Sequence, residues 1–142
     1  MKKNGNENGF SLIELLVVVV VIGLVASLAV PYLQRAIRAS QAGNSFATLR
    51  AISTTQLGYY SQTNRFARVT EANNIMSGGI GTQIGAEVHR GRFIFATVPA
   101  NPTDAELSQG YTLTATRTDP GEGITYHYEL TQSGVIRDVL LP

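Results

Sequence analysis

An uninterrupted apolar run near the N-terminus constrains this chain more than any other feature. From Phe10 to Val30 the sequence reads FSLIELLVVVVVIGLVASLAV. Its polar members are Ser11, Glu14 and Ser27. At a rise of ~1.5 Å per residue, a helix of this length spans ~30 Å, the hydrocarbon thickness of a bilayer. Such a run is too long for a strand. The sequence therefore predicts a membrane-spanning helix over residues 10–31, preceded by a short polar segment, residues 1–9.

Glu14 does not suit a simple membrane anchor, because an unpaired carboxylate inside a bilayer costs at least ~2.5 kcal/mol. Two explanations are open. The side chain reaches the headgroups from its place near the start of the run, or it pairs with a cation that appears only after processing. Cleavage before Phe10 creates an α-amine at a similar depth, on the same or a neighbouring copy, and an opposite charge removes much of the desolvation cost. We predict that this pair forms and sets the register between packed helices.

A contiguous pattern surrounds Glu14. It reads Gly9-Phe10-Ser11-Leu12-Ile13-Glu14, then Leu15-Leu16-Val17-Val18, with Gly23 within the run and Pro31 directly after it. This pattern resembles the processing site of type IV pilins and type II secretion pseudopilins. The resemblance implies that a membrane prepilin peptidase cuts after Gly9 and methylates the new amine of Phe10. It implies that Glu14 pairs with that amine in a growing filament, and that this protein is the substrate of the peptidase and not an enzyme.

The resemblance also implies where the chain lies and what it contacts. The precursor is expected in the inner membrane with a cytoplasmic N-terminus, and the mature subunit in an extracellular or periplasmic filament. The implied partners are copies of the chain itself, the prepilin peptidase, the inner-membrane assembly platform and, before assembly, membrane lipid; no cofactor is implied. Charge alone does not fix the orientation, since Lys2 and Lys3 precede the run and Arg35 and Arg38 follow it.

Two alternatives to a pilus subunit are open. The first is a type II secretion pseudopilin, which carries the same signature. The second is a membrane-tethered or secreted binding domain that never polymerises. The secreted form would be released by signal peptidase at the small-residue site Ser27-Leu28-Ala29. Glu14 at the head of the apolar run argues against the second alternative, as does the helical pattern that continues beyond Ala29.

The helix is predicted to continue past Pro31 to residue 61, because helix-compatible sequence resumes at once; the proline should kink the helix and not end it. By resemblance, the stretch from Gly23 to Pro31 is the part that melts in a filament. Apolar residues recur after it, many at a spacing of three: Leu33, Ala36, Ile37, Phe46, Leu49, Ile52, Leu57 and Tyr60. Residues 32–61 are therefore predicted to form an amphipathic half whose apolar stripe packs on a sheet.

The C-terminal part is predicted to be an antiparallel meander of about four strands over residues 92–142, which makes the chain an α+β protein. The four strand-like runs are residues 92–98, 111–117, 124–130 and 135–140, separated by turn-forming segments. Residues 62–91 are predicted to be a connecting loop region with one short helix near residues 70–77. The chain has no cysteine, so packing alone must stabilise this domain.

The remaining ionisable residues indicate no reaction. His127 is predicted to face solvent from a strand, and His89 to lie in a loop without carboxylates nearby. Asp119 and Glu122 lie in a Pro-Gly turn and fall short of the six to eight oxygen ligands typical of calcium, so no metal is predicted. A nucleic-acid role stays uncertain, because it would rest on four scattered arginines. These are Arg65, Arg68, Arg90 and Arg92.

Charge is divided unevenly along the chain. Residues 10–70 carry five arginines and one acid, whereas residues 71–142 carry four arginines and eight acids. These charges are either solvated on two surfaces or placed so that positive helix faces meet negative domain faces of neighbouring subunits.

Overall fold

The computed structural model describes residues 9–119 and 123–139. Its helices are α1 (Leu12–Thr63), α2 (Val69–Ile75) and α3 (Asp104–Gln109). Its strands are β1 (Thr82–Ile84), β2 (Glu87–Arg90), β3 (Phe93–Val98), β4 (Thr112–Asp119), β5 (Ile124–Thr131) and β6 (Ile136–Asp138). The predicted α+β class, a long N-terminal helix followed by an antiparallel sheet, is confirmed. The chain divides into two compact units, residues 1–41 and 42–142.

The first unit contains the N-terminal part of α1. The backbone N–H groups of Glu14 and Leu15 donate to the Ser11 carbonyl at 3.0 and 3.2 Å, which closes the first helical turn. The helix continues through Pro31, as predicted. Large apolar side chains of this segment are exposed by about half or more, among them Leu12 (89%) and Leu28 (70%).

The second unit contains a six-stranded sheet in the order β1-β2-β3-β4-β5-β6, with every neighbouring pair antiparallel. The meander is confirmed, but the prediction of about four strands was too low. The two additional strands, β1 and β2, lie within the segment that was predicted to be loop. Gly85, with a φ of 62°, occupies the first position of the two-residue turn that joins them. Such a turn needs only one glycine, and the flanking strands are short, which is why the hairpin was missed.

The core lies between the sheet and the C-terminal part of α1. Side chains alternate along the strands, so Phe95, Leu113 and Leu130 share one buried face. Leu49 and Ile52 of α1 are fully buried in the same cluster. Each buried side chain of this size contributes roughly 1.5–3 kcal/mol.

The predicted apolar stripe is therefore only partly correct. Phe46, Leu49 and Ile52 pack in the core, but Leu57 is 65% exposed. The earlier members Leu33 and Ile37 are 62% and 47% exposed. The remaining buried positions of the packed face carry polar side chains, and a pattern of apolar residues does not identify them. These are Ser45, Thr48 and Gln56.

Buried polar side chains fix the segment that follows α1. Gln56 donates from its amide nitrogen to the Ala67 carbonyl at 2.7 Å and accepts from the Ala67 N–H at 2.6 Å. The Thr97 hydroxyl accepts from the Val69 N–H at 2.8 Å, at the start of α2. Because buried backbone groups need partners, these two side chains determine where the chain leaves the helix.

Two short helices have clear local causes. The predicted helix near residues 70–77 is confirmed as α2, while α3 was not predicted. Helix α3 begins with a capping box. The Thr103 hydroxyl accepts from the Glu106 N–H, and the Glu106 carboxylate accepts from the Thr103 N–H at 2.7 Å. The pattern Thr-Asp-Ala-Glu after Pro102 is a helix-start signal that could have identified it.

Candidate processing and assembly site

The predicted cleavage site lies directly before α1. Gly9, Phe10 and Ser11 have no regular secondary structure, and the helix begins at Leu12. Phe10 is 78% exposed. The Gly9–Phe10 peptide bond is thus outside the hydrogen-bonded helix, in the kind of exposed backbone that proteases cut.

Gly9 is not required by the fold around it. A Cβ built at this position meets no heavy atom of the described residues within 4 Å, and the φ of Gly9 is outside the left-handed region. A larger residue therefore fits this chain without strain. Any need for glycine at position 9 comes from a second molecule that approaches the backbone closely.

Glu14 lies in the first turn of α1, and its side chain is exposed. It forms no ion pair with the residues that the structure describes. The N-terminus of a helix carries a partial positive charge, which favours a carboxylate in the first turn. The helix end thus stabilises Glu14 only partly and leaves its oxygens available to another cation.

The helix around Glu14 is apolar on all sides. Helix α1 is long and apolar enough to cross a membrane, and none of its apolar stretch of 18 residues is buried in the fold. Monomeric soluble proteins do not expose apolar surface of this extent. This segment needs a covering of lipid or of other protein chains, and the precursor is anchored in a membrane by it.

The comparisons with known proteins agree with this geometry. Residues 4–30 match the family model described as the prokaryotic N-terminal methylation motif. The class defined here is a membrane-anchored N-terminal helix followed by an antiparallel sheet domain. More particularly, the chain has the prepilin signature of the type IV pilin and pseudopilin proteins. That signature is typical of structural proteins and not of enzymes. No solved structure matches the chain significantly.

The carboxylate of Asp119, one of the two acids considered for calcium, is held by two arginines. Asp119 accepts from Arg92 at 2.6 Å through one oxygen and from Arg117 at 2.5 Å through the other. Both oxygens of this carboxylate are therefore used by guanidinium groups. Glu122, the other acid considered for calcium, lies outside the described residues. The described residues contain no group of three or more potential metal ligands.

The four arginines considered for nucleic acid are engaged within the chain. Arg65 forms a two-point ion pair with Glu71, at 2.7 and 2.8 Å. Arg68 binds the Asp104 carboxylate at 2.9 Å, Arg92 binds Asp119, and Arg90 donates to two groups of the fold. Each of these guanidinium groups therefore has a partner within the chain.

The ion pairs also modify the predicted charge division. Arg65 and Arg68 belong to the positive N-terminal half, yet they neutralise Glu71 and Asp104 of the negative half inside one subunit. The Arg65 guanidinium lowers the pKa of Glu71 to about 2.

Both histidines differ from prediction. His127 lies on the sheet face opposite Tyr128, as predicted, but only 15% of its side chain is exposed. His89 lies in β2 and not in a loop, and it has a carboxylate partner: its Nε2 is 3.2 Å from a Glu87 oxygen. The loop assignment failed because the β1–β2 hairpin was missed.

Proposed function

We propose that this chain is the precursor of a structural subunit of a type IV pilus-like filament, cut between Gly9 and Phe10 and assembled through its N-terminal helix. One observation carries the proposal: Glu14 lies in the first turn of an exposed apolar helix and has no ion-pair partner among the described residues. Residues 1–9 are the leader that a prepilin peptidase removes. The precursor lies in the inner membrane with its N-terminus in the cytoplasm and is handed to a membrane assembly platform.

Cleavage supplies the missing cation. An α-amine has an ordinary pKa of about 7.7–8.0, so most of it is protonated at neutral pH, and methylation of an amine retains the charge. Phe10 and Glu14 are four residues apart, which places them on one face if the helix extends to the new N-terminus. The same amine reaches Glu14 of a neighbouring subunit when parallel helices are staggered.

The pair would set the register of the filament. In a bundle of apolar helices an unpaired Glu14 is an uncompensated buried charge, which costs about 3–5 kcal/mol when the partner of a buried pair is removed. Sliding a helix by one turn, ~5.4 Å, separates the charges and incurs this penalty. The apolar contacts alone do not distinguish one register from another, because the helix is similar along its length. Gly23 and Pro31 are the weak points at which we propose that the helix unwinds in the filament.

Replacement of Glu14 by alanine tests the proposal. Processing should continue, since the cleavage site precedes the helix, but sheared filaments should fall at least tenfold, in line with a penalty of several kcal/mol. Ser27→Ala is the matched control, because the Ser27 hydroxyl donates only to the Leu24 carbonyl of its own helix. Filaments of normal yield from the Glu14→Ala variant would refute the register role.

A type II secretion pseudopilin shares every feature of this site. Imaging of sheared surface fibres, with identification of the subunit by mass, distinguishes it from a pilin that forms extracellular fibres. A membrane-tethered or secreted domain that does not polymerise would give no fibres and would be insensitive to the charge at position 14.

A further inference from the structure

The sheet has a second face that the core does not use. The ring contact between Phe46 of α1 and Tyr128 places α1 against the buried face, and the Val69–Thr97 hydrogen bond places the start of α2 there also. Side chains on the opposite face, which we call the outer face, are Glu87 and His89 of β2, Ile94 and Ala96 of β3, Thr114 and Thr116 of β4, and His127 and Glu129 of β5.

Strand register arranges the outer face in two rows. One row contains His89, Ile94, Thr116 and His127, each opposite the next on neighbouring strands. The other contains Glu87, Ala96, Thr114, Glu129 and Arg137. Each histidine therefore stands beside a glutamate of its own strand. The two histidine–glutamate pairs are three strand spacings apart, ~14 Å.

Both pairs have the geometry of two neighbouring ligands of a tetrahedral metal ion. The Nε2 of His89 is 3.2 Å from a Glu87 oxygen, and the Nε2 of His127 is 3.3 Å from a Glu129 oxygen. Zinc binds nitrogen and oxygen at about 2.0–2.1 Å, so two ligand atoms at the tetrahedral angle are about 3.3 Å apart. The Nδ1 of His127 is also held by the Thr116 hydroxyl at 3.0 Å, which orients the ring as outer partners of zinc-bound histidines do.

One chain supplies only half of such a site, since the described residues contain no cluster of three ligands. A two-fold axis parallel to the strands, between β3 and β4, places β2 of a second copy over β5. Because this rotation preserves position along the strands, His89 of the second copy faces His127, and Glu87 of the second copy faces Glu129. Two equivalent four-ligand sites result, as expected for an isologous dimer.

We propose that the outer face is a metal-dependent interface between two copies of this chain, with one divalent transition-metal ion such as Zn²⁺ in each His₂Glu₂ site. The centre of the interface is uncharged, formed by Ile94, Ala96, Thr114 and Thr116, so the sheets can approach to the usual ~10 Å. Without metal the facing glutamates repel each other, so association requires the ion. The proposal does not depend on the filament function.

Sedimentation velocity of the full-length chain in detergent micelles tests the proposal, with ZnCl₂ compared with EDTA. Zinc should convert the chain to a species that contains one more copy of the chain than the species in EDTA, with about one bound zinc ion per chain. EDTA should reverse this conversion. His89→Gln and His127→Gln should each abolish the zinc-dependent species, because each damages both sites. An equimolar mixture of the two variants should restore the zinc-dependent species, with one copy of each variant and half as much bound zinc per chain. In this mixed pair, the His127 of one copy and the His89 of the other form one intact site.

A second pair of variants tests the orienting hydroxyl. Thr116→Val should weaken zinc binding by roughly tenfold, whereas Thr118→Val, on the same strand and face, should leave it unchanged. Three results would overturn the proposal: no zinc-dependent change in sedimentation, an undiminished change in the His89→Gln variant alone, or failure of the mixture to restore the species. The far-ultraviolet circular dichroism of each variant, measured alongside, reports whether the sheet is retained.

Discussion

Replacement of Glu71 by glutamine should destabilise the second unit strongly, because this carboxylate joins the end of α1 to α2. Its two oxygens accept from Arg65 at 2.7 and 2.8 Å, and one of them also accepts from the Arg68 N–H at 2.9 Å. Folding lowers the pKa of Glu71 from 4.5 to about 2, chiefly through the hydrogen bond from Arg65. Such a change corresponds to at most about 3 kcal/mol. With 31% of the Glu71 side chain exposed, solvent screening reduces this to about 2 kcal/mol.

The same ion pair predicts how stability depends on pH. Because the pKa is lower in the folded state, the stabilisation is fully present above about pH 4.5 and is lost as pH falls towards 2. Chemical unfolding of the full-length chain in detergent, followed by near-ultraviolet circular dichroism of the tyrosines, measures both effects. The difference between wild type and Glu71→Gln should be about 2 kcal/mol at pH 7 and should shrink as the pH falls from about 4.5 to about 2.

Glu87→Gln is the matched control, because Glu87 is 49% exposed and its side chain bonds only to His89 among the described residues. That change should alter the free energy of unfolding by less than about 0.5 kcal/mol. If Glu71→Gln were equally mild, or if its effect persisted unchanged to pH 2, the stabilising role of the Arg65–Glu71 pair would be refuted.

Three further changes have defined outcomes. Gln56→Leu leaves both backbone groups of Ala67 without a partner, so the free energy of unfolding should fall by about 2–4 kcal/mol in the same assay. Gly81→Ala should abolish cooperative unfolding of the domain, since its Cβ would lie 2.3 Å from a backbone oxygen, whereas Gly58→Ala, in open space within α1, should stabilise by about 0.5–1 kcal/mol. Gly9→Val should leave the melting temperature unchanged yet block processing on an immunoblot, and mature protein from this variant would refute the assigned cleavage site.

The sequence determined the long helix and the central strands because each has a strong local signal. The apolar run is too long for a strand, and the strand-like runs predicted at residues 92–98, 111–117 and 124–130 coincide with β3, β4 and β5. Pro31 was correctly expected not to end the helix.

The remainder depends on long-range contacts that no local pattern reports. Arg65 and Glu71 are six residues apart, but Arg68 and Asp104 are separated by more than thirty, and their pairing requires the folded domain. The single row that contains His89 and His127 on the outer face depends on the strand register, which places β2 three strands from β5. Leu57 was assigned to the core from its spacing alone, although its helix face has no covering in the fold.

Cleavage before Phe10 is tested most directly by the intact mass of the protein isolated from its native membrane or filament. We expect a chain that begins at Phe10 and is heavier than the unmodified sequence by one methyl group on its terminal amine. A chain that retains Met1, or one that begins at Val30, the last residue of the apolar run, would contradict this mechanism.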